Sequence, residues 1–172
     1  MISEQAGYSS AAKLCFLNLY KTAPLNNELI VFEVVVDFKK VKSNSKWGVI
    51  PFRVLESGDL EVLIISTRRK NWSLPKGNLI KSIGPKRTAL LEAYEEAGID
   101  GQLVSSPVLC SIGRTNIFLF PMSVSKVFED WPESGFRKRR WVSKQKASCI
   151  LHHHSMRSLL GKFLPKACLS NS

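Results

Sequence analysis

The sequence predicts an α/β domain, and three observations support this fold class. Apolar runs rich in β-branched residues predict strands, and the clearest of them is Leu60–Ser66. A helix is predicted over residues 85–97, because proline can open it at Pro85 and glycine can end it at Gly98. The third observation is that 44% of the 172 residues are hydrophobic and 23% are charged, which is typical of one globular domain.

The first 45 residues are interpreted as an N-terminal extension, and residues 46–172 as the domain itself. Most of the extension has no clear pattern, and it is expected either to pack against the domain or to be partly disordered. One run within it, Leu29–Phe38, is rich in β-branched side chains and predicts a strand. This run contains Glu33 and Asp37 and is too short to cross a membrane.

Strands and loops alternate through the first half of the domain. Gly48–Leu55 predicts a strand, Glu56–Asp59 predicts a turn, and Leu60–Ser66 predicts a second strand. The basic loop Thr67–Asn71 then leads to the segment Trp72–Gly77, which reads W-S-L-P-K-G. The helix over residues 85–97 follows this segment.

The second half of the domain is predicted to hold further strands and a final helix. Strands are expected near Val108–Ile112, over Asn116–Val124 and near Trp141. One amphipathic helix is expected over residues 144–163. It would contain the run His152–His154, and three consecutive helical residues point in different directions. These histidines are therefore not predicted to bind one metal ion.

The net charge of +11 is the unusual feature of the composition. It predicts an anionic partner, and a polyphosphate, a nucleic acid and a membrane surface are equally compatible with charge alone. The four cysteines are far apart and form no C-x-x-C pair, so neither a zinc site nor a disulfide framework is predicted. Reduced thiols, together with the lack of a membrane-spanning segment, favour a soluble cytoplasmic protein.

Three glutamates crowd one end of one face of the predicted helix. Glu92 and Glu96 are four residues apart, and Glu95 is three residues from Glu92. No lysine or arginine stands three or four positions from any of them. Like charges at this spacing destabilise a helix by about 0.2–0.5 kcal/mol per pair, and Mg²⁺ or Mn²⁺ prefers such hard oxygen ligands. The spacing fits a metal site and a solvated acidic face equally well.

The stretch Gly77–Ile99 resembles the Nudix box, G-x5-E-x7-R-E-U-x-E-E-x-G-U, in which U is a bulky aliphatic residue. The matching positions are Gly77, Glu92, Glu95, Glu96, Gly98 and Ile99. Two positions depart from the pattern, because Ile83 replaces the first glutamate of the box and Leu91 replaces its arginine. The length and strict spacing of the box make this a strong signal.

The resemblance extends over roughly residues 46–164. The segments E-D-W-P-E at 129–133 and R-K-R-R-W at 137–141 resemble the diphosphoinositol-polyphosphate and dinucleoside-polyphosphate branch of the family. A member of this family is expected to have a mixed β-sheet sandwiched between helices and to hydrolyse a diphosphate linkage. The arginine of the box helps to orient the catalytic carboxylates, so Leu91 is expected to reduce the activity without abolishing it.

The resemblance also implies roles for individual residues. Glu92 and Glu96 would bind Mg²⁺ or Mn²⁺ together with the backbone carbonyl of Lys76. Glu95 would be a further ligand, through water, or the general base. The substrate would be a small polyphosphorylated molecule that contacts basic and polar side chains, with Arg68 and Arg137 foremost. The full set of expected substrate contacts is Arg68, Arg137, Lys46, Ser66, Arg69 and Arg114.

A second hypothesis belongs to a different class of function. Ile83 and Leu91 would then mark a degenerate Nudix domain that binds a nucleotide, a polyphosphate or RNA without efficient cleavage. RNA binding would use the basic run 137–140 and would depend steeply on salt. No RNA-binding motif accompanies that run, so nucleic acid is the less favoured partner. The sequence predicts no particular oligomeric state.

Overall fold

A computed structural model describes residues 45–162 of the chain. In this range the strands are Lys46–Val54 (β1), Leu60–Ser66 (β2), Trp72–Ser73 (β3), Lys76–Asn78 (β4), Ile99–Leu103 (β5), Val108–Ile112 (β6), Thr115–Val127 (β7) and Arg139–Ser143 (β8). The helices are Gly84–Ala97 (α1), Lys144–Ile150 (α2) and His154–Lys162 (α3). The strand expected at Leu29–Phe38, and residues 1–44 of the predicted extension, lie outside the described residues.

One mixed sheet contains all eight of these strands. β1 and β7 run parallel at its centre, from Lys46 opposite Ile117 to Phe52 opposite Ser123. Antiparallel pairing extends the sheet on both sides, with β2 and β3 beyond β1, and β5 beyond β7. The short β4 pairs with the start of β1, which brings the W-S-L-P-K-G segment to the middle of the sheet.

Two hydrophobic clusters lie on opposite faces of this sheet. Because neighbouring strand residues point to opposite faces, Val49 belongs to one cluster and Ile50 to the other. Helix α1 covers the first face with three fully buried alanines, Ala89, Ala93 and Ala97. Helices α2 and α3 cover the second face with Ala147, Met156 and Leu160. The sheet is therefore sandwiched between helices, which confirms the predicted α/β/α arrangement.

The predicted elements agree with the structure along most of the domain. Leu60–Ser66 and Val108–Ile112 have the predicted bounds, and helix α1 starts one residue early, at Gly84. The strand Ile99–Leu103 was not predicted, because its aspartate and glycine disfavour a strand on their own. It forms because β7 offers a pairing edge and because Ile99 is buried in the core.

The prediction of a single C-terminal helix is wrong, because α2 and α3 are separate helices. Between them the chain is extended, with Leu151 at ψ 136° and in a bridge to Trp72. The N–H of His152 donates to the Trp72 carbonyl at 3.0 Å. Pairing with β3 thus interrupts the helix and places His152 and His153 beside Trp72.

Two further observations concern membrane spans and cysteines in the described region. Within residues 45–162, no helix is long and apolar enough to cross a membrane. Cys110 is buried, Cys149 is exposed, and both are free thiols. The other two cysteines, Cys15 and Cys168, lie outside the range that the structure describes.

Candidate active site

The orientation of helix α1 is fixed at both of its ends. Pro85 opens the helix, where a missing N–H leaves no hydrogen bond unmade. Gly98 ends it in the left-handed region at φ 60°, and its N–H donates to the Tyr94 carbonyl at 2.9 Å. Arg139 then donates to the Ala97 carbonyl at 2.8 Å, one of the acceptors that a helix end leaves unpaired. These contacts determine which side chains face the W-S-L-P-K-G segment.

Glu96 is held from two sides. Its Oε2 accepts a hydrogen bond from the Lys76 backbone N–H at 2.8 Å, and its Oε1 is ion-paired with the Arg137 guanidinium. Burial raises the pKa of the Glu96 carboxyl, while the Lys76 N–H and the Arg137 charge act in the opposite direction. Both partners come from outside helix α1, which agrees with the absence of neighbouring cations along the helix.

Glu92 lies against the backbone at Gly77. A Cβ added to Gly77 would come within 1.7 Å of Glu92 Oε1, so glycine leaves the space that this carboxylate occupies. Burial raises the pKa of Glu92 to about 7, and the charges of Glu96, Glu95 and Glu133 act in the same direction. Four carboxylates are thus close enough for three of them to oppose the ionisation of the fourth.

Glu133 is a member of this cluster that sequence reasoning did not single out. Its backbone N–H donates to the Glu95 carbonyl at 3.2 Å, and its carboxylate is ion-paired with Arg137. The spacing of four residues between Glu133 and Arg137 is visible in the sequence. Their contact with helix α1 is not visible there, because it joins segments that are distant along the chain.

The donors at this site suit a divalent cation in their chemistry. Glu92 and Glu96 offer the carboxylate oxygens that Mg²⁺ and Mn²⁺ prefer. Burial is the main cause of the raised pKa of Glu92, and crowded negative charge, which a cation would neutralise, adds to it. Among residues 45–162, no three acidic, histidine or cysteine side chains converge closely enough to hold a metal ion, and Glu96 is paired with Arg137 instead. The type and charge of the donors therefore fit a divalent ion, and the ion pair with Arg137 sets the position of Glu96.

A cavity of about 330 Å³ is lined by Lys76, whose backbone N–H binds Glu96, but by none of the glutamates themselves. Its walls come from the loop at 67–71, from β3 and from the break between α2 and α3, and they include Arg68, Arg69, Trp72, Lys76, His152 and His153. The Lys76 ammonium donates to Ser73 Oγ at 2.7 Å and to the Leu74 carbonyl at 3.2 Å. Burial lowers the pKa of Lys76. The histidines belong to this cavity only because the predicted C-terminal helix is broken.

The basic loop at Thr67–Asn71 is a tight turn that presents two arginines to the cavity. The Thr67 N–H donates to the Asn71 carbonyl at 2.7 Å, and the Lys70 N–H donates to the Thr67 carbonyl at 2.8 Å. Lys70 adopts φ 61°, in the left-handed region. Because the backbone closes on itself, the exposed Arg68 and Arg69 project from the turn.

The other predicted substrate contacts fall in different places. Lys46 begins β1, and its charge acts to lower the pKa of Glu92. The Ser66 hydroxyl accepts a hydrogen bond from the Lys138 backbone N–H at 2.8 Å, so its contact is with the chain before β8. Arg114 is exposed in the turn between β6 and β7. The structure thus brings Lys46 to the glutamates and gives Ser66 a structural partner.

Successive members of the basic run 137–140 point in different directions. Arg137 contacts Glu96, Arg139 contacts the end of helix α1, and Lys138 is exposed. Arg140 lies over the ring of Trp72, 5.0 Å from its centre. The run therefore does not present one continuous surface for phosphates.

The ionisation of Glu92 leads to a prediction about stability without metal. The pKa of Glu92 is raised from 4.5 to about 7 in the fold, so the folded state holds a proton that the unfolded state releases between these values. Ionisation therefore opposes folding, with no effect below about pH 4.5 and the full effect above about pH 7. We expect Glu92→Gln to stabilise the metal-free protein at pH 8 by about 1 kcal/mol, after allowance for solvent screening.

Denaturant unfolding in the presence of EDTA at pH 4.5 and pH 8 measures this difference. Glu129→Gln is the control, because Glu129 is exposed and does not contribute to the shift at Glu92. An equal gain from Glu92→Gln at both pH values would contradict the prediction.

Comparisons with known proteins agree with this fold. No family model matches the chain. The chain is 38% identical over 131 residues to Nudix hydrolase 21, chloroplastic, of Arabidopsis thaliana, a match that covers 70% of this chain and 66% of that protein. It is 30% identical over 122 residues to diphosphoinositol polyphosphate phosphohydrolase 3-alpha of Mus musculus, covering 65% of this chain and 71% of that protein. The chain therefore spans about two thirds of the length of these relatives.

A solved structure supports the architecture separately. The crystal structure of C. elegans Ap4A hydrolase matches with a TM-score of 0.51 at 22% identity, over 75% of this chain and 100% of that chain. At this identity the likeness shows the fold alone. The α/β/α sandwich and the named relatives together identify the class of protein. It belongs to the Nudix hydrolase family.

Proposed function

We propose that this chain hydrolyses a diphosphate linkage in a small polyphosphorylated molecule, with Mg²⁺ or Mn²⁺ held by Glu92 and Glu96. The observation that carries the proposal is the position of Lys76 between the two parts of the site. Its backbone N–H holds Glu96, and its side chain lines the cavity that Arg68 and Arg69 also line. A polyphosphate bound in this cavity would contact Lys76, the residue whose backbone also binds Glu96.

The chemical problem is attack by water on a phosphorus atom surrounded by negative charge. The bound cation would supply screening of the phosphates and a more acidic water. Glu92, Glu96 and the Lys76 backbone carbonyl would provide the ligands of this cation, and Glu95 would accept the proton of the attacking water or bind the cation through water. The water oxygen bonds to phosphorus while the bridging P–O bond breaks, and the electron pair of that bond leaves with the departing phosphate.

The basic residues around the cavity bind the phosphates that do not react. Arg68 and Arg69 are exposed at its wall, and a guanidinium group can contact two phosphate oxygens at once. The Lys76 ammonium adds positive charge deeper in the wall, where it is held by Ser73. Lys46 and Arg114 would extend the positive potential from the start of β1 to the β6–β7 turn.

Two substrate classes fit this arrangement, diphosphoinositol polyphosphates and dinucleoside polyphosphates. The mouse relative is named for the first class, and the C. elegans structure is an Ap4A hydrolase. A net charge of +11 suits either kind of anion.

Chromatography of the hydrolysis products from a substrate panel tests the proposal on the chain of 172 residues. The panel contains a diphosphoinositol polyphosphate, a dinucleoside tetraphosphate and a nucleoside diphosphate sugar, each with Mg²⁺ or Mn²⁺. We expect turnover of at least one, its loss in EDTA, and a decrease of about 100-fold or more in Glu96→Gln. The matched variant Glu129→Gln also removes one carboxylate, and it should retain wild-type activity.

Failure to cleave any nucleotide or inositol pyrophosphate would contradict the proposed activity. If the chain then still bound the panel members tightly, the degenerate domain expected from Ile83 and Leu91 would be the better account. Binding of RNA in place of these ligands, with a steep salt dependence, would favour the nucleic-acid form of that alternative.

A further inference from the structure

We propose that Arg137 is a positioning residue for Glu96, because it supplies from a distant segment the cation that is missing three and four positions from Glu96 along the chain. The inference rests on the proposed function, because it is there that Glu96 becomes a ligand. Its basis is a three-way contact of one guanidinium group. Arg137 is ion-paired with Glu96 and with Glu133, and its Nη1 donates to the Ser66 carbonyl at 3.0 Å. The Arg137 side chain is only 11% exposed, so these contacts are shielded from water.

Two of these contacts hold the guanidinium independently of Glu96. Ser66 ends β2, and its N–H is hydrogen-bonded to the carbonyl of the residue after Arg137 at 2.7 Å. Glu133 stands four residues before Arg137, and its N–H is tied to the Glu95 carbonyl at 3.2 Å. Because a guanidinium is a rigid planar fork, its remaining N–H groups meet Glu96 in one fixed direction.

This fixed direction determines how the Glu96 carboxylate can turn. One of its oxygens is bound by Arg137 and the other by the Lys76 N–H at 2.8 Å. The carboxylate cannot rotate without breaking one of these two bonds. Each oxygen still has a second lone pair, and the two bonds keep the orientation of these lone pairs constant. Outer partners of this kind orient the ligands of metal sites.

The local charge balance allows a cation beside a guanidinium. The positive charge of Arg137 is shared by Glu96 and Glu133, so the three groups carry one net negative charge. Glu92, when ionised, adds another negative charge nearby. The cluster therefore attracts a divalent cation even with Arg137 in place. We expect removal of Arg137 to affect cation binding mainly through the lost orientation of Glu96.

The experiment compares Arg137→Met with Lys138→Met in the full chain. Both variants remove one positive charge, but Lys138 is exposed and its side chain is not in the cluster. We expect Arg137→Met to weaken Mn²⁺ binding to the metal-free protein by about 10- to 100-fold and to lower kcat similarly with KM unchanged. Lys138→Met should change neither quantity by more than about twofold. Arg137→Lys should restore only part of the loss, because an ammonium cannot bridge two carboxylates as a planar fork does.

Glu133→Gln provides a second variant that leaves Arg137 and Glu96 in place. It should weaken Mn²⁺ binding by a smaller factor, and its effect should be smaller in the Arg137→Met background than in the wild type, as expected for groups that act through one another. Thermal unfolding of each variant separates loss of orientation from loss of fold.

Three results would overturn this role of Arg137. A raised KM with unchanged Mn²⁺ affinity would make Arg137 a substrate contact, and tighter Mn²⁺ binding in Arg137→Met would make it a competitor of the cation. Absence of Mn²⁺ binding by the wild-type protein would also overturn it. If the wild type binds Mn²⁺ but hydrolyses no diphosphate, the proposed function fails, and the Mn²⁺ titrations still decide the role of Arg137.

Discussion

Gly77→Ala is expected to lower kcat/KM for the diphosphate substrate by about 1,000-fold while changing the free energy of unfolding by less than about 1 kcal/mol. The new Cβ would lie 1.7 Å from Oε1 and 2.2 Å from Cδ of Glu92, so the carboxylate must leave its place. The displaced atoms are the far end of a flexible side chain, and moving them disturbs the fold little. Activity and stability should therefore respond very differently to this one methyl group.

Steady-state kinetics, Mn²⁺ titration and denaturant unfolding of the same preparation measure the effect. Gly135→Ala is the matched control, because nothing lies within 4 Å of a Cβ added at Gly135 in the loop before Arg137. A fully active Gly77→Ala would show that the reaction does not need Glu92 where the structure places it.

Gly48→Ala is expected to reduce the free energy of unfolding by about 3 kcal/mol. Its Cβ would lie 2.0 Å from the Pro75 carbonyl oxygen and 2.7 Å from Lys76 Cα, and both of these are backbone atoms. The N–H of Val49 donates to the same Pro75 carbonyl at 3.0 Å. The segment before β4 cannot retreat without losing this hydrogen bond, so the overlap must strain the centre of the sheet.

Denaturant unfolding of metal-free protein at one pH measures the loss at Gly48. Gly77→Ala serves as the internal comparison, since Gly48 and Gly77 lie on the paired strands β1 and β4. Equal stability of the two variants would show that β4 is freer to move than its hydrogen bonds imply.

Elements with local signals could be predicted from the sequence. Helix α1 has a proline at its start and a glycine in the left-handed conformation at its end, and both signals act within the helix itself. The glutamates of its last turns were found for the same reason, because helical spacing alone places Glu92 and Glu96 on one face. The family resemblance then supplied the mixed sheet, which the structural comparison supports.

Features that depend on distant partners could not be predicted. The break at Leu151 results from its bridge to Trp72, which pattern reading along residues 144–163 cannot detect. Likewise, the partner of Glu96 is Arg137, 41 residues further along the chain. The sequence shows no counter-ion three or four positions from the glutamates. In the folded chain, however, Arg137 is the counter-ion of Glu96.

The parallel pairing of β1 with β7 has a consequence for how the protein acquires its site. Lys46 pairs with Ile117, and Arg137 contacts Ser66, so both contacts close chain segments of 71 residues. Contacts this far apart raise the contact order of a fold, and high contact order slows folding. During synthesis on the ribosome, helix α1 emerges before strand β7 and before Arg137. The active site is therefore expected to form late in folding, together with the pairing of β1 with β7.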